Sequence, residues 1–245
     1  MIKYLSKEIK SLFVEIKSLD FKTVYIFISV SVVIFLSVSY TNPSFYLRHL
    51  GKSFLNAYLY WFLADGLLMF LIPVLSIKFV FKKNLKDFGF RFGDVKFGLI
   101  TLAVFFIVML IVVWIVSASE QFAKTYPQGG QELRNSVRMF IIFEFCVLIY
   151  MLGWEFIWRG YMLFGLKEKF GYYAIFIQML PFFILHRGKP ELELFASIFA
   201  GIILGIQAWR SNSFIYCWIL HWLVVFSIDI ISLLRYQNNF YKILF

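Results

Sequence analysis

Several uninterrupted apolar runs of 18 residues or more limit what this chain can fold into, because that is the length a helix needs to cross the hydrocarbon core of a bilayer. Runs of this kind extend from about Val24 to Tyr40, Phe54 to Phe79, Phe97 to Ala118, Met139 to Leu166, Leu192 to Trp209 and Phe214 to Leu234. A further run, Tyr172 to Leu185, is short for a full crossing. The runs are continuous rather than alternating, which argues against a transmembrane barrel. Of the 245 residues, 61% are hydrophobic and only 16% are charged, where soluble domains average about 45–50% and about 25%. The expected fold is an all-α, polytopic transmembrane helical bundle of about seven to eight spans.

Residues 1–22 read differently. Ile9, Leu12, Phe13 and Ile16 recur at helical spacing between lysines, the pattern of an interfacial amphipathic helix. The chain therefore divides into this helix and a transmembrane domain over 23–245, whose polar motifs lie within 139–232. The net charge of +10 sits mostly between the runs, which fits lipid headgroups better than nucleic acid. Lysine and arginine are densest in the N-terminal segment, in 78–96 and in 159–169, which places the N-terminus on the cytoplasmic side of a cell membrane. No signal-peptide cleavage site follows the first run. Cys146 and Cys217 lie in apolar runs and read as small core residues rather than a disulfide or metal knuckle. Gly201 and Gly205 form a GxxxG pair suited to close helix approach.

The informative residues are the ionisable ones inside these runs, since an unpaired charge at membrane depth costs several kcal/mol. Glu155 and Arg159 are four apart and share a helix face, where they can pair. His186 closes the short run, and His221 lies in the last one. Each has a bland reading: a buried ion pair, an interfacial cap, a hydrogen-bonded core histidine. Together they describe a polar pocket between helices. Water is the natural nucleophile there, with a carboxylate as base and a histidine to hold the proton or polarise a carbonyl. No cofactor is expected. Zinc on two histidines and a glutamate is the alternative, resting on residue type alone, since no H-E-x-x-H is present. Asp65, beside Gly66, reads equally as an acid with a function or as a helix–helix contact.

These residues resemble the CPBP family of intramembrane proteases, which contains the type II CAAX prenyl endopeptidases and the bacterial bacteriocin-processing and immunity (Abi) proteins. The Glu-Glu-x-x-x-Arg motif is matched by Trp154-Glu155-Phe156-Ile157-Trp158-Arg159, the Phe-x-x-x-His motif by Phe182 to His186, and the His-x-x-x-Asn/Asp motif begins at His221. The resemblance covers roughly residues 85–232 and implies a helical membrane endopeptidase with Glu155, Arg159, His186 and His221 in its site and Phe182 in support. Two positions depart from the pattern. Trp154 stands where the resemblance implies the water-activating glutamate, and Val225 stands where it implies a hydrogen-bonding side chain. Glu155 is then the replacement base. Glu193, Glu144 and Asp229 are the other acids in reach. Glu144 lies eleven residues before Glu155, on nearly the same helix face. Asp229 lies eight residues after His221, roughly 80° off its direction.

The function expected from this is hydrolysis of a peptide bond in a membrane-anchored protein or hydrophobic C-terminal segment. The alternatives are an inactive relative acting as a membrane scaffold or bacteriocin-immunity protein, and, with less support because no repeat is present, a transporter or channel. A shared site requires the short run to stop at mid-depth, so that His186 can meet Glu155 and His221.

Overall fold

The computed structural model describes residues 1–236, and the described residues contain helices and no strands. The end of the transmembrane domain read from the sequence, 237–245, lies outside the described residues. Twelve α-helices follow in order: α1 (Ile2–Lys17), α2 (Phe21–Leu36), α3 (Pro43–His49), α4 (Phe54–Leu75), α5 (Val95–Val116), α6 (Glu120–Thr125), α7 (Gln131–Arg134), α8 (Val137–Glu155), α9 (Leu163–Phe170), α10 (Tyr173–Ile184), α11 (Glu191–Ser211) and α12 (Ile215–Tyr236). Four of the long helices begin where a polar residue accepts from an exposed N–H group of the first turn. Asp20 does so for α2, Ser53 for α4, Asp94 for α5 and Ser136 for α8.

Among the described residues, six helical runs are long and apolar enough to cross a membrane: Phe21–Thr41, Phe54–Val80, Val95–Val116, Val137–Phe170, Glu191–Ser211 and Ile215–Arg235. This is fewer than the seven to eight spans expected. The difference is α10, whose 12 residues reach about 18 Å at 1.5 Å each, well short of a hydrocarbon core about 30 Å thick.

Val137–Phe170 is the most buried of the six and forms the axis of the bundle. It is not a uniform α-helix. Phe156–Met162 is π-helical and joins α8 to α9, a geometry frequent at functional sites. Around this axis pack α4, α10 and α12, with α11 against α10 and α5 against α12. Glycines set the closest approaches. A Cβ on Gly153 would stand 2.0 Å from the Gly66 carbonyl oxygen, so α4 and α8 meet backbone to backbone. Gly201 and Gly205 face Met179, Phe182, Ile175 and Gln178 of α10, which is the close approach their spacing suggests. Asp65 of α4 accepts from Thr41 Oγ1 at 2.8 Å, tying two spans together. The outer face of α5 is an almost unbroken row of exposed valines, leucines and isoleucines, as expected of a helix facing lipid.

Candidate active site

The C-terminal end of α8 and the π-helical segment after it supply Trp154, Glu155 and Arg159. Glu155 and Arg159 are both 0% exposed. Arg159 Nη1 donates to Glu155 Oε1 at 3.1 Å. The same oxygen lies 2.6 Å from His221 Nδ1 on α12. A carboxylate only accepts, so His221 carries a proton on Nδ1, and its Nε2 is directed away from Glu155. The guanidinium carbon of Arg159 sits 3.9 Å from the ring centroid of Phe182 on α10, a cation–π contact that covers the buried charge. The ion pair read from the sequence is therefore a triad, with a histidine from another span completing it.

His186 follows α10 at a tight turn that Gly188 permits by adopting φ +94°, and Pro190 caps the start of α11. His186 Nδ1 lies 2.7 Å from the Phe182 carbonyl oxygen. A carbonyl cannot donate, so Nδ1 holds the hydrogen and Nε2 is left as an acceptor. Burial lowers the His186 pKa to about 3, only partly offset by this backbone hydrogen bond, so the ring is neutral at ordinary pH. The His186 and His221 rings are nearly parallel, at 11°, with centroids 6.5 Å apart. The short α10 thus brings the second histidine to the first, as a shared site requires.

These imidazoles line a cavity of about 60 Å³, together with Trp61, Tyr150, Trp154 and Val225. That volume admits a few water molecules but no peptide, so substrate access requires the surrounding elements to part. The opposite wall is ionic. Tyr126 donates to Glu193 at 2.6 Å, and Lys189 donates to Tyr126 at 3.1 Å while lying 3.8 Å from Glu193. Burial and the Glu193 charge raise the Tyr126 phenol well above its ordinary pKa, so it stays a donor. Ser232 of α12 donates to the Tyr126 carbonyl at 2.6 Å. The connector between α5 and α8 is thereby fastened across the cavity.

Glu144 and Asp229 do not line this cavity. Their carboxyls are buried beside each other, away from the imidazoles. They form a second rung between α8 and α12, which run antiparallel with Glu155–His221 as the first. Glu193, in contrast, does reach the cavity. Tyr126 carries no signal in the sequence beyond lying in the longest polar loop. Its role depends on a contact with Glu193, 67 residues further along the chain.

Fold and cavity together define a multi-pass membrane protein with an internal site of two imidazoles, a carboxylate and a guanidinium. Residues 136–227 match the family described as type II CAAX prenyl endopeptidase Rce1-like. That segment contains all three motifs, so the resemblance to the CPBP membrane endopeptidases holds across it. No curated protein and no solved structure matches the chain.

Proposed function

We propose that the chain is an intramembrane endopeptidase that hydrolyses a peptide bond in a membrane-anchored protein or hydrophobic C-terminal segment, with His221 as the base that activates water. The observation that carries this reading is the 2.6 Å contact between Glu155 Oε1 and His221 Nδ1. A buried carboxylate on one imidazole nitrogen fixes the tautomer and orientation of the ring and stabilises the imidazolium that forms, leaving the other nitrogen to take a proton. Glu155 is sealed from the cavity, so it acts as a positioning residue behind His221 rather than as the base itself. Arg159 holds the carboxylate in place. His221 Nε2 takes a proton from water while the water oxygen bonds to the substrate carbonyl carbon. The neutral His186 Nε2 accepts the water's second hydrogen and aligns it. The tetrahedral intermediate then re-forms its carbonyl and expels the amine, which takes the proton from His221.

Among the described residues no three His, Cys, Asp or Glu side chains are grouped to hold a metal ion, and the reading needs none. The resemblance to the bacterial Abi proteins points to a bacterial inner membrane, and sequence charge supports a cytoplasmic N-terminus there. In α1 the apolar side chains Leu5, Ile9, Leu12, Phe13 and Ile16 are exposed, which fits a helix lying on an anionic leaflet.

A second reading, an inactive relative that binds a membrane peptide as a scaffold or immunity protein, draws on Trp154 and Val225, which both line the cavity. Sequencing new protein N-termini in membranes that contain the wild type or His221→Gln separates the two. Hydrolysis predicts termini that arise with the wild type and vanish with the variant. Identical sets of termini, with an intact membrane protein held by both forms, support the second reading instead.

A further inference from the structure

The hydrolysis just described develops negative charge on the substrate's carbonyl oxygen, and that oxygen needs a hydrogen-bond donor. The imidazoles do not supply one. His186 has committed its N–H to the Phe182 carbonyl, and His221 has committed Nδ1–H to Glu155. Nor do several other donors on the cavity wall. Tyr126 gives its O–H to Glu193, Lys189 is held by Tyr126 and Glu193, and the Trp61 side chain bonds Asp65.

Tyr150, Gln128 and Trp154 are the wall residues whose donors remain, and of these Trp154 has its ring against His186. It is 5% exposed and lines the cavity, with its ring 5.6 Å from that of His186 and at 70° to it. Its indole N–H is buried and has no hydrogen-bond partner among the described residues. A buried donor left unpaired costs about 1–3 kcal/mol, and the great majority of buried polar side-chain atoms find a partner. An unpaired N–H on a side chain that lines the cavity, beside the reacting imidazoles, is therefore free to serve an acceptor once the elements around the cavity part for the substrate.

We infer that Trp154 is a catalytic residue, whose indole Nε1–H donates to the oxyanion of the tetrahedral intermediate. The inference rests on the endopeptidase reading. As the hydroxide oxygen bonds to the carbonyl carbon, the π electrons of the carbonyl move to its oxygen, and Nε1–H binds that oxygen without giving up its proton. When the carbonyl re-forms and the C–N bond breaks, the hydrogen bond weakens and the leaving nitrogen takes its proton from His221. The residue that departs from the family motif thus contributes to the reaction as a donor, where the motif implies an acceptor.

The test replaces the N–H and keeps the ring. Trp154→Phe and the isosteric Trp154→3-benzothienylalanine, in which sulfur replaces the indole nitrogen, are compared with the wild type in proteoliposomes on a peptide substrate that the wild type cleaves. Loss of one such donor is expected to lower kcat and kcat/KM together by about 10²–10³, with KM little changed. Affinity for a phosphonate analogue of the intermediate should fall by a similar factor, while affinity for an uncleavable amide analogue holds. Wild-type cleavage with undiminished kcat in the benzothienyl variant overturns the role of Trp154 and leaves the endopeptidase reading standing. A wild type that cleaves no membrane peptide overturns both. Should Trp154→Phe fail to fold, the benzothienyl variant decides.

Discussion

Trp154 and Glu155 are neighbours in the chain with opposite relations to the cavity. The indole forms part of its wall, while the carboxylate lies behind His221 with no exposure. The sequence points to Glu155 as the base by elimination, because it is the only carboxylate left in its motif. In the structure both Arg159 and His221 converge on its Oε1, which leaves His221 nearer to any bound water. His186 shows the reach of a single backbone hydrogen bond, which fixes its tautomer and makes Nε2 an acceptor. Its buried, neutral state also has a consequence for stability. A histidine with an unfolded pKa near 6.5 and a folded pKa of about 3 contributes full stability above pH 6.5. As pH falls below 6.5, the unfolded chain binds a proton that the folded one refuses, and stability is lost down to about pH 3. The slope is at most about 1.4 kcal/mol per pH unit. Tm measured in detergent should therefore fall as pH drops from 6.5 towards 4, and His186→Gln should flatten that fall. An equal slope in the variant would contradict a neutral buried His186.

At the scale of elements, the site depends on how closely α4 and α8 approach. Gly153 precedes the motif, and its Cα faces the Gly66 backbone. Gly153→Ala puts a methyl carbon 2.0 Å from that carbonyl oxygen, so the two helices must move apart. Overpacking of this kind costs about 1–3 kcal/mol, and it should lower Tm and cleavage together by displacing Trp154 and Glu155. An unchanged Tm would mean that the contact is not tight. Helix existence was legible in the sequence wherever an apolar run was long, as in α5 and α8. The α4–α8 contact was only half legible: Gly66 beside Asp65 suggests a helix contact, but nothing local pairs it with Gly153. The π-helical segment Phe156–Met162 was not legible at all, because the residues of a wide turn are the same ones an α-helix would use. Glu144 and Asp229 illustrate the limit of face arithmetic. Glu144 lies on nearly the same helix face as Glu155, yet the antiparallel crossing of α8 and α12 sets it beside Asp229 and neither acid lines the cavity.

Across the described residues as a whole, six membrane-length runs and one short helix bring three motifs to one cavity. Order and spacing of the motifs were readable in the sequence, and so was the need for α10 to stop early. The ionic wall of Tyr126, Lys189 and Glu193 was not, since it joins a loop to a turn through contacts more than 60 residues apart in the chain. Because this wall fastens the connector over a cavity too small for a peptide, opening and chemistry are separate demands on the fold. The central claim is that Glu155 on one span and His221 on another act as a single unit. It is tested most directly by a double-mutant cycle on the cleavage rate in proteoliposomes, using Glu155→Gln, His221→Gln and both together. Groups that act as one unit are strongly non-additive. The account predicts that the double variant is no slower than the slower single one. A double variant whose loss is the product of the two single losses would contradict it.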